Sequence, residues 1–197
     1  MPSKSERNLW AYCYFLYFCA IVKPHKMEKL LDKFLRYVSV ETTSDENSES
    51  QPSTDKQLNL LRMLRDELQA MGIQAELDEY GYVMATIPSN VDRDIPAIGF
   101  IAHVDTAPDA SGKDIKPQII PNYDGGDIVL NKEKNIVLRV SEFPEMAQYK
   151  GQTMITTDGT TLLGADDKAG VAEIMYAAQY MMEHTDFKHG EIKNGFT

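Results

Sequence analysis

From residue 27 onward the apolar positions switch period in an orderly way. MEKLLDKFLRYVSV sets Leu30, Leu31, Phe34, Leu35 and Val38 three or four residues apart, which predicts an amphipathic helix with one stripe turned toward a core. The polar run TTSDENSESQPST follows as a loop. Ser53 or Thr54 then offers an N-cap to a second helix through DKQLNLLRMLRDELQAM, with Leu58, Leu61, Leu64 or Leu68 and Met71 on its buried face and Gly72 as its stop. IQAELDEY alternates apolar and polar positions, YVMATIP resumes after a tyrosine-glycine turn, and AIGFIAHV is a short unbroken apolar run. Alternation marks a strand with one wet face, whereas an unbroken run fits a strand covered on both. A hairpin feeding a central strand is therefore expected.

Residues 106–151 scatter Pro, Gly and Asp among short strand candidates, DIVL and IVLRV. Long irregular stretches in compact domains are often functional surfaces rather than linkers. TMITT reads as a strand, TTDGTTLLGADDKAG as a turn-rich approach, VAEIMYAAQYMMEH as a helix and HGEIKNGF as the start of another buried strand. No internal repeat is visible. Helices alternating with strands predict α/β layering, with a mixed sheet flanked by helices.

Residues 1–26 do not share this pattern. Their apolar run, Leu9 to Val22, has basic flanks and is shorter than the roughly 20 residues a membrane span needs. Lys23-Pro24-His25-Lys26 follows where a secretion signal would place small residues for cleavage. The expectation is an extension over 1–26 outside a domain formed by 27–197, with Met27 as the natural start. A weak membrane anchor is the alternative.

Length and charge narrow the function classes. The 197 residues suffice for one ordinary domain or a large piece of a bigger one. A formal charge of −10 and a sequence pI near 4.8 disfavour nucleic acid and anionic membrane surfaces, whose recognition needs concentrated Lys and Arg. Without Lys4, Arg7, Lys23, Lys26 and Glu6 of the extension the charge becomes −13. Neither kind of partner is expected; metal ions and small cationic or zwitterionic ligands are the easier guests. Both cysteines, Cys13 and Cys19, lie in the extension, so no disulfide framework or thiolate zinc site is available after it, which suits a reducing cytoplasm.

The candidate chemistry begins at the end of the unbroken apolar run. Positions i and i+2 of a strand face the same way, so His103 and Asp105 can point into one cleft beyond its carboxyl end, the edge where open α/β sheets bind ligands. A neutral imidazole is a good zinc ligand, and a nearby carboxylate fixes its tautomer. A strand-end histidine bonded to a loop, with Asp105 capping a turn, accounts for the three residues as well. GADDKAGVAE adds two adjacent carboxylates, Asp166 and Asp167, at the start of a helix behind Gly164 and Ala165. Capping and the helix dipole explain acids there, but a carboxylate with two oxygens can also bridge two metal ions. Lys168 reads as a surface charge.

HVDT at 103–106 followed by TLLGADDKAGVAEIM at 161–175 resembles the M20 di-zinc metallopeptidases. Longer stretches, among them FLRYVSVETTS, DIPAIGFIAHVDTAPDASG, NYDGGDIVL and HGEIKNGFT, are similar to the branch that releases the N-terminal residue from tripeptides. The resemblance implies two zinc ions per complete active site, with His103 binding one, Asp166 bridging both and Asp105 orienting and tuning His103; Asp167 receives no ligand role. It implies small peptides as substrates, a cytoplasmic location and a glutamate general base. In that family a strand like HGEIKNGFT runs into a Pro-Asp-Glu-Glu segment carrying the base and a further ligand. These groups, the lid or dimerisation domain and the second half of the catalytic domain would lie past Thr197, and Glu191 does not substitute for the base. The chain is accordingly expected to be the N-terminal portion of such an enzyme, inactive alone. Hydrolysis of N-acyl amino acids by the same chemistry, or a non-catalytic truncated product, are the alternatives, and the oligomeric state is left open.

Overall fold

The computed structural model describes residues 24–197, with side chains from Leu30 onward; residues 1–23, which include Cys13 and Cys19 and most of the expected extension, lie outside the described residues. Helix α1 (Pro24–Val38) buries Leu30, Phe34, Tyr37 and Val38, with Leu31 and Leu35 half-buried beside them. Tyr37 is an addition to the expected stripe. Its hydroxyl reaches the Glu67 carboxylate (2.8 Å), which lets an aromatic body sit in the core while its polar end keeps a partner.

Helix α2 (Gln57–Ala70) buries Leu60, Leu61, Leu64 and Leu68, leaving Leu58 and Met71 half-buried. It begins later than expected, with Lys56 at the cap position and no side-chain cap bond. The hydroxyls expected to cap it are engaged elsewhere: Thr54 Oγ1 donates to the Thr43 carbonyl (2.9 Å) and Ser53 Oγ accepts from Gln57 Nε2 (2.9 Å). Gly72 does end the helix, at φ +82°, a left-handed conformation that glycine adopts without a Cβ penalty.

Strands β1 (Gln74–Leu77) and β2 (Val83–Ile87) form the expected antiparallel hairpin, and β3 (Ile98–Ala102) follows. Next comes a small β lobe of two antiparallel pairs, β4 (Gln118–Ile120) with β7 (Met154–Thr156) and β5 (Ile128–Asn131) with β6 (Ile136–Leu138). Tyr123, Ile128 and Met146 form its separate buried cluster, the last from a 3-10 helix over Pro144–Tyr149. Helix α3 (Ala165–Glu183) and strand β8 (Ile192–Phe196) complete the described chain. Among the described residues no helix is long and apolar enough to cross a membrane.

The four-stranded sheet runs in the order β1-β2-β8-β3, with β8 antiparallel to β2 and parallel to β3. The mixed α/β architecture is as expected, but the place of β3 is not. It was expected in the centre, buried on both faces; it lies at the edge, with Ile98, Phe100 and Ile101 exposed by 52%, 46% and 75%. Apolar composition sets what a strand prefers to lie against, but among the described residues only β8 pairs with it, and β8 takes the interior position instead. Helices α2 and α3 cover one face, with α1 packed against α3, and there Val83, Ala85, Ile192 and Phe196 join Leu60, Leu64, Val171 and Met175 in one core. Deeply buried side chains of this size each contribute about 1.5–3 kcal/mol relative to exposure, so this layer is the rigid part on which the strand ends are mounted.

A candidate metal centre at the carboxyl end of β3

The parallel β3–β8 pairing continues past the strand, as the Val104 amide donates to the Thr197 carbonyl (2.7 Å). His103 therefore leaves the sheet at its carboxyl edge with a fixed backbone. On the other side Val40–Ser44 grips the same stretch: the Thr106 amide donates to the Thr42 carbonyl (3.1 Å), the Ser44 amide to the Thr106 carbonyl (2.9 Å), and Thr42 Oγ1 to the Val104 carbonyl (2.7 Å). The polar run expected as a loop thus opens with a short parallel bridge, Thr43 to Thr106. The paired β-branched threonines were the available signal.

The acidic turn approaches from the opposite side. Gly164 sits at φ +73°, and a Cβ there would lie 3.1 Å from Thr106 Cγ2, so glycine is needed both for the conformation and for the close approach. Asp166 and Asp167 have non-helical backbone angles, so the regular turns of α3 begin at Lys168. The Asp166 side chain is 96% exposed and its Oδ1 lies 3.1 Å from His103 Nε2. His103 Nδ1 faces Asp105, 3.0 Å from Oδ1 and 3.1 Å from the carbonyl. Asp167 turns inward instead, where its Oδ1 accepts from the Gly170 amide (3.2 Å).

The three expected site residues thus lie in one place, the imidazole spanning the two carboxylates. Burial by itself lowers the His103 pKa, but the Asp105 charge, the Asp166 hydrogen bond and the Asp167 charge outweigh it and raise it above the ordinary histidine value. Burial raises the Asp167 carboxyl above its usual range, and the neighbouring Asp166 charge adds to that.

The donor set fits a divalent cation in kind: one ring nitrogen and one exposed carboxylate converge, with a second carboxylate holding the ring from behind, the usual support of a metal-binding histidine. It does not fill a coordination sphere, since among the described residues no group of three or more His, Cys, Asp or Glu gathers about one metal position.

Lys168 departs from the surface position expected for it. It is 1% exposed, its Nζ donates to the Val40 carbonyl (2.7 Å), and burial pushes its pKa down to about 8, with the Glu41 charge opposing. The signal was present in the spacing: Lys168 precedes Val171, Ala172, Met175 and Tyr176, all buried, and so lies on the apolar stripe of α3.

No family model matches the chain. Among solved structures it is similar in fold to an aminopeptidase PepT from Bacillus cereus (TM-score 0.57, 24% identity, 86% of this chain and 36% of that one). A tripeptidase from Staphylococcus aureus (0.55, 22%, 86% and 36%) and an aminoacylhistidine dipeptidase from Vibrio alginolyticus (0.53, 16%, 90% and 28%) share that fold. The chain shares its fold with part of each of these proteins.

The sequence relatives are more specific. Over 172 residues, 87% of the chain, it is 59% identical to peptidase T of Halothermothrix orenii and 58% identical to peptidase T of Clostridium novyi; over 171 residues it is 56% identical to peptidase T of Geobacillus kaustophilus. The resemblance read from HVDT and GADDKAG is borne out, since the chain is similar to peptidase T across nearly nine-tenths of its length. It spans 42% of the length of these relatives.

Proposed function

We propose that His103 and Asp166 are ligands to zinc, that Asp105 is the aspartate orienting His103, and that the chain is the N-terminal part of a metal-dependent aminopeptidase that releases the first residue of tripeptides. Residues 27–197 then form part of its catalytic domain and residues 1–26 an extension outside it, in a cytoplasmic protein. One observation carries the reading: side chains 63 residues apart in sequence meet at 3.1 Å at the open end of β3, in a chain 59% identical to a peptidase T over 172 residues.

The roles follow from the contacts. Asp105 accepts the Nδ1 proton of His103, so that Nε2, on the side of Asp166, is the ring nitrogen left to bind a cation once its own proton is lost. Asp166, exposed and outside the helical ladder, presents both carboxylate oxygens and can be shared between two cations. Asp167 is held by the Gly170 amide and stays out of the ligand set. Zinc bound here, two ions per complete site, supplies Lewis acidity that polarises a peptide carbonyl and activates water. Further donors and a general base are needed for turnover, and the reading places turnover in a protein of the relatives' full length.

The test is the rate of release of an N-terminal residue from a tripeptide, compared with a dipeptide and an N-acetyl amino acid, by zinc-loaded protein of the relatives' full length that carries these residues. The tripeptide is expected to be the best substrate and His103→Ala to abolish its hydrolysis. Faster cleavage of the acylated amino acid would replace the tripeptide reading with the amidohydrolase one.

A further inference from the structure

We infer that Lys168 is a positioning residue whose ammonium, bonded to the Val40 carbonyl, ties the start of α3 to the Val40–Ser44 segment and so keeps Asp166 within reach of His103. The inference rests on the proposed ligand roles of those two residues.

Asp166 has no regular helical turn to hold it, because its own backbone and that of Asp167 fall outside helical geometry. Its position must come from what flanks it. On the N-terminal side Gly164 packs against Thr106. On the C-terminal side, two residues on, Lys168 reaches the Val40 carbonyl at 2.7 Å. Val40 opens the segment whose next residues hold the His103 side of the site, through Thr42 to Val104 and Thr106 and through Ser44 to Thr106. His103 and Asp166, distant in sequence, are thereby hung from one five-residue stretch, and the Lys168 bond is the arm that carries the acidic turn.

The choice of a lysine supports this role. A lysine that is 1% exposed gives up hydration of its charge, and an apolar side chain of similar volume at such a position is often neutral or stabilising for the fold. What the ammonium adds is a directed bond to one carbonyl just past the C-terminal end of α1, where positive charge is favoured. Glu41, the neighbouring acid, pairs with Lys56 at 2.8 Å, so the carbonyl is the hydrogen-bonding partner of Lys168. Orientation of a ligand by a group that does not itself touch the metal is a general property of metal sites.

The experiment measures binding of Zn2+ alone to the 197-residue chain by calorimetry, expressed per folded molecule from a melt of each sample. Wild type is compared with His103→Ala, Lys168→Met and Lys168→Arg. Lys168→Met is expected to weaken binding about tenfold and Lys168→Arg, which keeps a charged donor, to recover part of the loss. A purely structural lysine would change the folded fraction and leave the affinity of the folded molecules alone. A Lys168→Met chain that binds as wild type does, or a Lys168→Arg chain no better than Lys168→Met, overturns the inference while leaving the metal site standing. Wild-type affinity in His103→Ala instead defeats the metal reading, and the inference with it. Should Lys168→Met not fold, wild type alone decides: coupling is reciprocal, so saturating Zn2+ is expected to slow hydrogen exchange of the Lys168 ammonium in 15N spectra, and an unchanged exchange rate overturns the inference.

Discussion

The helix-covered sheet and the β lobe are built from the same residue types but are held together very differently. In the first, three helices and four strands share one core that includes Leu60, Leu61, Leu64, Leu68, Val171, Met175 and Phe196, all fully buried. In the second, two short antiparallel strand pairs surround Tyr123, Ile128 and Met146. The candidate metal centre sits where the first region's strand and helix ends meet, not in the lobe. Sub-ångström placement of two ligands from distant parts of a chain needs side chains that cannot repack, and a continuous close-packed core supplies that. A cluster with only three buried side chains supplies less, and the lobe is expected to open before the sheet.

The largest expected effect tests that contrast directly. Leu64→Ala should cost about 3 kcal/mol in urea unfolding, as for a fully buried leucine. Met146→Ala should cost the global transition only about 1 kcal/mol, with its main effect on amide exchange within 118–156. Equal losses in the global transition would show that the lobe unfolds as one unit with the sheet, and the contrast would fail.

Next in size is the pH dependence contributed by Lys168, the charge buried within the sheet's layer. Its native pKa of about 8 lies below the ordinary lysine value of 10.5, so between these values the unfolded chain holds a proton that the native chain has released. Stability contributed by this group therefore rises with pH across the window: the cost of burying the ammonium is fully present below about 8 and gone above 10.5. The amplitude is at most about 3 kcal/mol. Unfolding free energies at pH 7 and pH 10, wild type against Lys168→Met, should differ in slope, with the variant flatter. Parallel profiles would mean that Lys168 is hydrated in solution.

The smallest effect concerns the sheet's open side. Ile101, 75% exposed, flanks Gly195 on the face opposite the helices, together with exposed Met84. Ile101→Lys is expected to change stability by less than about 0.5 kcal/mol. It should also reduce self-association in sedimentation runs, because an unpaired apolar edge strand invites pairing and a lysine on it discourages that. A loss of several times that size would place Ile101 in a covered position.

These regions were legible in the sequence to different degrees. The helices α1, α2 and α3, the β1–β2 hairpin and the glycine stop at Gly72 all follow from local periodicity and backbone chemistry, although α1 begins at Pro24 rather than Met27 and α3 at Ala165 rather than Val171. The pairing of β4 with β7 across more than thirty residues was not visible, since a three-residue strand carries no period of its own. The site was half legible. His103, Asp105 and Asp166 could be singled out because their spacing and their glycine neighbours are local facts. The grip of Val40–Ser44 on the strand end, and Lys168 beneath the acidic turn, came only with the fold.

Sequence by itself determined which side chains each element withdraws from water, where helices stop, and which residue types could serve a metal. Tertiary structure alone decided that β8 lies inside and β3 at the edge, that Lys168 is buried, and that an imidazole and a carboxylate 63 residues apart come within 3.1 Å. Periodicity is written by the geometry of a single element, which repeats every two or 3.6 residues. The choice of neighbour depends on which of many apolar faces and unpaired edges fit together at once, and no short stretch of chain carries that information.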